Sequence, residues 1–281
     1  MGWLKYFRNE APTMPQGSAP PGRADKQADA SAFWSAIRFG AAKLTDLLLP
    51  PLCLSCRSAI LGHGGLCAAC WSNVNFIEPP VCERLGIPLP HATDEPIVSA
   101  AALADPPLYD RARAVARYDE IMRDMVHGLK YRDRQEGLAL FGRWLARAGE
   151  ELFDDDRILV PVPLYRGRLW SRRFNQSALL AKAVSVETGL AVNLFCLKRM
   201  RATASQVGLS AEQRRRNVAG AFEVPENQRR DLMEKEIILV DDVITTGATV
   251  NACARILKRA GAAHVDVLAL ARVVDPLAPT P

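Results

Sequence analysis

Residues 236–257, EIILVDDVITTGATVNACARIL, leave the chain few ways to fold. Five apolar-rich residues of strand character run into Asp241 and Asp242, a short loop follows, and VNACARILKRAGA then has helical periodicity. A strand that passes through so short a loop into a helix is half of a βαβ unit, which argues for a parallel sheet. The loop residues Thr245, Thr246, Gly247, Ala248 and Thr249 are small or carry hydroxyls, and they sit where a helix leaves its first N–H groups unpaired. That is a cradle for a phosphate. Two carboxylates just before it would repel phosphate, so they make sense as holders of something beside it: sugar hydroxyls or a divalent ion. The pattern asks for a phosphorylated sugar. It is neither G-x-G-x-x-G nor G-x-x-x-x-G-K-[ST], so the dinucleotide and P-loop readings lose. A plain helix cap with solvated aspartates needs only one such residue, and five stand here.

The rest of the chain repeats the alternation. RAVARY reads as a strand, 119–130 and 135–152 as helices, RILVPVPL as a short buried strand ending at Pro161 and Pro163, and 171–189 as a helix. NLFCLKR is a further strand candidate, 199–217 is a long polar stretch with little strand character, and HVDVLALAR closes the series as a strand. No internal repeat stands out. Residues 1–32 are rich in Ala, Pro, Gly and Asp and are expected to be disordered. In the following stretch Phe33, Ile37, Ala41, Leu44 and Leu48 recur at helical spacing, and Arg38, Lys43 and Asp46 make that helix amphipathic. No apolar run reaches the roughly 18 residues of a membrane span.

Four of the seven cysteines fall in one short window: Cys53, Cys56, Cys67 and Cys70, spaced C-x2-C-x10-C-x2-C. Each pair forms a knuckle that aims two thiolates at one point, and Gly62, Gly64 and Gly65 let the spacer turn back. Four thiolates suit tetrahedral zinc, and a closed shell makes that zinc structural. An iron–sulfur centre and two redox dithiols are the alternatives. Cys82 stands alone, since Leu85 holds the place of a second knuckle cysteine, and Cys196 and Cys253 read as small buried hydrophobes. The first residues, MGWLKYFRNEAP, lack the apolar core of a secretory signal. The expectation is therefore a reducing cytoplasm, where clustered cysteines bind metal more often than they form disulfides.

The net charge of +5 is mild, but the arginines cluster. Arg166, Arg168, Arg172 and Arg173 form one group, Arg199 and Arg201 a second, and Arg214, Arg215 and Arg216 a third. Such concentration points to an anionic partner: a phosphorylated ligand, nucleic acid or an acidic protein. Few aromatics interleave with them beyond Trp170 and Phe174, which counts against a stacking platform for single strands.

With these pieces in place, VDDVITTGAT resembles the phosphoribosyl-pyrophosphate (PRPP) signature of the type I phosphoribosyltransferases. The chain from about 45 to 272 resembles one branch, the ComF (competence protein F) family. The matching pieces are the CLSC and CAACW cysteine pairs, HGLKYRD at 127–133, PVPLYRGRLWSRRFNQSALLA at 161–181, and R-x-R-x-T-x-S-Q-x-x-L-S-x-x-x-R-x-x-N at 199–217. The resemblance implies an α/β, parallel-sheet phosphoribosyltransferase-like domain over 93–275, preceded by an amphipathic helix and a zinc-ribbon module of double zinc ribbon-like kind over 33–92. It implies that Asp241 and Asp242 hold the ribose 2′- and 3′-hydroxyls and that Thr245, Thr246, Gly247, Ala248 and Thr249 take the 5′-phosphate. Pro161, Val162 and Pro163, with Arg168 behind them, would line the pyrophosphate, Lys130 is a further candidate there, and 199–217 corresponds to a loop that closes over the site. PRPP would bind with Mg²⁺, and the reaction would be phosphoribosyl transfer to an acceptor the sequence does not specify. A non-catalytic sensor of PRPP or another phosphorylated ribose, or a handler of single-stranded DNA, is the alternative. The family's link to natural competence adds DNA uptake and competence proteins as expected context.

Overall fold

The computed structural model describes residues 50–91, 96–131, 135–165, 167, 174–202 and 211–274. The expected tail, the amphipathic helix at 33–48 and Arg168 lie outside them. Seven strands are described: β1 (Ala112–Arg117), β2 (Ile158–Pro161), β3 (Ala191–Val192), β4 (Lys198–Arg199), β5 (Phe222–Glu223), β6 (Glu236–Ile244) and β7 (His264–Arg272). The helices longer than a turn or so are α1 (Glu120–Tyr131), α2 (Leu138–Ala148), α3 (Gln176–Thr188), α4 (Ala211–Val218), α5 (Glu226–Leu232) and α6 (Ala248–Arg259).

Five strands form a sheet in the order β1-β7-β6-β2-β3, every neighbouring pair parallel. Such a sheet must be covered on both faces, and its central strands are accordingly near-continuous apolar runs. Successive residues of β6 alternate between two cores. Ile237 and Leu239 join the one that contains Val250, Cys253, Ala254 and Leu257 of α6, and Ile238 and Val240 join the one that contains α1, α2 and α3. Cys196 and Cys253 are fully buried in the first core.

Order along the sheet places the crevice. From β2 the chain crosses through α3 to β3 on one side, and from β6 it crosses through α6 to β7 on the other. The carboxyl ends of the adjacent strands β2 and β6 therefore flank a topological switch point, where open α/β sheets bind ligands.

Several elements differ from the sequence reading. The strand expected to stop before the aspartates runs through both of them to Ile244, because β7 pairs alongside as far as Ile244 opposite Arg272. The loop shrinks to Thr245–Thr246–Gly247, and α6 opens at Ala248. NLFCLKR is not a strand. The Asn193 side-chain oxygen accepts from the N–H groups of Phe195 and Cys196, both at 3.0 Å, and folds the segment into a turn, so that only Lys198 and Arg199 pair, antiparallel to β5. The polar 199–217 stretch ends in a helix, α4, and 203–210 lies outside the described residues.

The cysteine-rich segment lies on the free edge of β1. Phe76 bridges Ala116, the Ile77 N–H donates to the Val115 carbonyl at 2.9 Å, and the Arg117 N–H donates to the Asn75 carbonyl at 2.9 Å. Trp71, Phe76 and Trp144 of α2 pack with ring centroids 5.2 to 5.8 Å apart. The edge strand is thus covered rather than exposed. Among the described residues no helix is long and apolar enough to cross a membrane.

Candidate functional site

At the β6 end of the crevice Asp241 is buried, and three groups fix its carboxylate and its neighbour. The Ser177 hydroxyl, in the first turn of α3, donates to Asp241 Oδ1 at 3.1 Å, and the Asp242 N–H donates to the same oxygen at 2.9 Å. Lys130 Nζ, near the end of α1, lies 2.5 Å from Asp242 Oδ2. Burial first, and then the Asp242 charge, push the Asp241 carboxyl up to about 7, against the pull of the hydrogen bonds and of Lys130. Burial works to lower Lys130, but the carboxylates of Asp242 and Asp241 outweigh it and hold the ammonium above the ordinary lysine range. A site poised this way gains from any ligand that stabilises ionised Asp241, whether a pair of hydroxyl donors or a divalent cation.

Gly247 terminates the loop with φ 75°, in the left-handed region, and occupies the N-cap position of α6 with no side-chain cap. Neither threonine before it acts as the cap, so the capping explanation for this loop does not hold. Thr245 and Thr246 are exposed, Thr249 is half-buried, and Ala248 is buried. The arrangement brings backbone N–H groups at a helix N-terminus and hydroxyls to the end of the same strand that carries the aspartates.

Across the crevice β2 ends at Pro161, and the Val162 N–H still donates to the Val240 carbonyl at 2.9 Å. Asn175, the N-cap of α3, donates through Nδ2 to the Val162 carbonyl at 3.0 Å while its Oδ1 accepts from the Ser177 N–H at 3.1 Å. The start of α3 therefore ties the Pro161–Val162–Pro163 turn to the aspartate pair. Asn175 and Ser177 were missed by sequence reasoning. The signal was the dipeptide-spaced N-x-S at a helix start, which reads as an ordinary cap until its partners are seen. Lys130 belongs to the aspartates. The Arg201 guanidinium donates to the carbonyls of Ala219 at 2.7 Å and Asn217 at 3.2 Å, drawing the described ends of the 199–217 stretch together.

The four cysteines converge as their spacing requires. Their sulfurs all lie within 4.8 Å of one another, with Cys56 and Cys67 at 3.7 Å. Zinc–sulfur bonds of about 2.3 Å place tetrahedral sulfurs about 3.8 Å apart, so this quartet fits a structural zinc. Ser58, whose hydroxyl is 3.1 Å from Cys56 Sγ, brings that thiol down to about 6, whereas burial pushes Cys70 up to about 12. His63 is exposed and is no part of the cluster. A cavity of about 850 Å³ lies between this module and β1, lined by Trp71, Phe76, Val81, Arg113, Trp144 and Glu151 among others; no residue of the aspartate site lines it.

Comparison with known proteins agrees with this architecture. Residues 44–101 match a double zinc ribbon domain, and residues 178–279 match a phosphoribosyl transferase domain. The DNA utilization protein YhgH of Escherichia coli is 37% identical over 237 residues, covering 81% of this chain and 100% of that protein. Competence protein F of Haemophilus influenzae is 28% identical, covering 78% of this chain and 96% of its own length. Competence protein ComFC of Bacillus subtilis is 27% identical, covering 74% and 84%.

Proposed function

The chain belongs to the ComF family, and we propose that it binds PRPP with Mg²⁺ in the β2/β6 crevice and transfers the phosphoribosyl group to a nitrogen acceptor. The observation that carries this reading is the Asp241–Asp242 pair, held by Ser177 and Lys130, one short loop before the N-terminus of α6. In it the aspartates accept from the ribose 2′- and 3′-hydroxyls, and the Thr245–Thr249 segment receives the 5′-phosphate. The Pro161–Val162–Pro163 turn approaches the pyrophosphate from β2, and Arg168 supplies positive charge near it. Asp241 and Asp242 are also the oxygen donors suited to Mg²⁺, which would neutralise charge on the departing pyrophosphate.

The reaction forms a bond from the acceptor nitrogen to C1 of the ribose and breaks the bond from C1 to the pyrophosphate oxygen, which leaves with the electron pair. The acceptor nitrogen releases its proton to solvent or a nearby base. Carboxylates fixed against the ribose hold the sugar while C1 acquires positive character, and they need no reorganisation to do so. In this reading the activity serves DNA utilization or uptake in the cytoplasm alongside competence proteins, which the relatives named for DNA utilization and for competence support.

Protection against unfolding tests the reading. A ligand at 100 times its dissociation constant adds about 2.7 kcal/mol to the folded state. PRPP with Mg²⁺ is expected to raise Tm in a saturable way, and single-stranded oligonucleotides are expected not to. A Tm raised by the oligonucleotide and not by PRPP would move the assignment to a DNA-handling protein on this fold.

A further inference from the structure

The cysteine-rich module contains its own copy. In the first half the Cys53 N–H donates to Ser58 O at 2.8 Å, the Arg57 N–H to Cys53 O at 3.2 Å and the Ile60 N–H to Pro51 O at 2.9 Å, and Leu52 bridges Ala59. Displaced by 29 residues, the Cys82 N–H donates to Ile87 O at 2.8 Å, the Gly86 N–H to Cys82 O at 2.7 Å and the Leu89 N–H to Pro80 O at 2.8 Å, and Val81 bridges Pro88. Arg57 and Gly86 share a left-handed backbone, with φ 66° and 63°.

The second knuckles correspond at a displacement of 32. Cys67 caps the helical turn Ala68–Ser72, sends its N–H to Cys53 Sγ at 3.4 Å and accepts the Cys70 N–H on its own sulfur at 3.4 Å. Ser99 caps the turn Ala100–Ala104, sends its N–H to Cys82 Sγ at 3.2 Å and accepts the Ala102 N–H on its hydroxyl at 3.4 Å. The ligand positions Cys53, Cys56, Cys67 and Cys70 thus map onto Cys82, Leu85, Ser99 and Ala102.

A double zinc ribbon implies two such quartets, and the second does not fit a metal: it offers one thiol, one hydroxyl and two hydrocarbon side chains. We infer that residues 80–91 and 96–104 form a zinc-ribbon half that folds without metal, so that the chain carries one zinc. Cys82 Sγ instead accepts the N–H groups of Leu85 at 3.4 Å and Ser99 at 3.2 Å, Ala102 is buried, and Leu85 packs against the sheet core that holds α6. Docking on β1 replaces the cross-link that a metal would supply. Arg113 donates to the Glu83 carbonyl at 2.9 Å and pairs with the Glu83 carboxylate at 3.0 Å. Arg84 donates to the carbonyls of Pro107 and Tyr109, both at 3.0 Å. Gly86 lies against the Ala112 carbonyl, where a Cβ would collide. One half keeps the metal, and the other clamps the module to the sheet.

Metal analysis of the full chain purified from zinc-supplemented medium tests this. One zinc per chain is expected, and two would overturn it. Cys82→Ala should keep that one zinc, whereas loss of zinc from a Cys82→Ala protein with wild-type circular dichroism would overturn it. Leu85→Cys/Ser99→Cys/Ala102→Cys completes the second quartet and should raise the content to two, with cobalt giving about twice the thiolate-to-metal absorbance. A triple variant with wild-type circular dichroism that still binds one metal would contradict the claim that this half retains ribbon geometry. If the triple variant does not fold, the wild-type content and Cys82→Ala decide.

Discussion

Replacing Asp241 with Asn should stabilise the protein in alkaline solution while removing its ligand. Burial and Asp242 raise the Asp241 carboxyl from the ordinary 3.8 to about 7 in the folded chain. A carboxyl that keeps its proton on folding favours the folded state at low pH, and that advantage is lost as pH climbs from its unfolded value to its folded one. Each pH unit in that window is worth about 1.4 kcal/mol, so the loss between pH 6 and pH 8 is on the order of 1 kcal/mol. The amide oxygen of Asn can still accept from Ser177 and from the Asp242 N–H, so the variant keeps the geometry without the charge. Urea denaturation of both proteins at pH 6 and pH 8, with zinc present, reads the effect as the difference in pH slope between the two. The variant is expected to be the more stable at pH 8, with the gap narrowing by on the order of 1 kcal/mol at pH 6. Equal pH slopes in the two proteins would refute the claim that burial and Asp242 raise the Asp241 carboxyl.

Two further predictions follow from named contacts. Ser177→Ala removes a donor to ionised Asp241, so PRPP affinity should fall about tenfold, the 1.4 kcal/mol of one charge-assisted hydrogen bond, and the pH at which binding turns on should move upward. An unchanged pH dependence of binding, measured by calorimetry, would leave Ser177 as a packing residue. At the opposite end of the sheet Asp266 is fully buried among Arg111 Nη2 at 3.0 Å, Arg157 Nη1 at 2.6 Å and His264 Nε2 at 3.0 Å. Asp266→Asn removes the buried charge that faces Arg157 and should lower the unfolding free energy by about 3 kcal/mol in urea denaturation. A loss below about 0.5 kcal/mol would show that this network contributes no more than a surface pair.

What the sequence made legible was local. The zinc quartet and the strand–aspartate–loop–helix segment each lie within a couple of dozen residues, and in both the residue types reveal the backbone they need. The partners that tune the aspartates are distant in sequence: Lys130 and Ser177 reach them from two other helices, and no spacing rule connects them. The extent of β6 was misread because polar residues look like a stop, yet a strand continues as long as its neighbour offers a ladder, and β7 does so to Arg272. The segment NLFCLKR was a strand candidate, but one Asn side chain satisfies two backbone N–H groups and turns it. The ribbon repeat was legible only as Cys82 with Leu85 in the place of a second knuckle cysteine, because the other two ligand positions hold Ser99 and Ala102 and the hydrogen bonds that preserve it leave no mark on composition.

The most direct measurement is calorimetric titration of the zinc-loaded chain with PRPP in Mg²⁺, for wild type and for Asp241→Asn/Asp242→Asn. Saturable Mg²⁺-dependent binding at one site per chain, abolished in the double variant while its zinc content and fold persist, is the predicted result. Binding of equal strength in both proteins, or none in the folded wild type, would contradict the assignment of the aspartate crevice as the PRPP site.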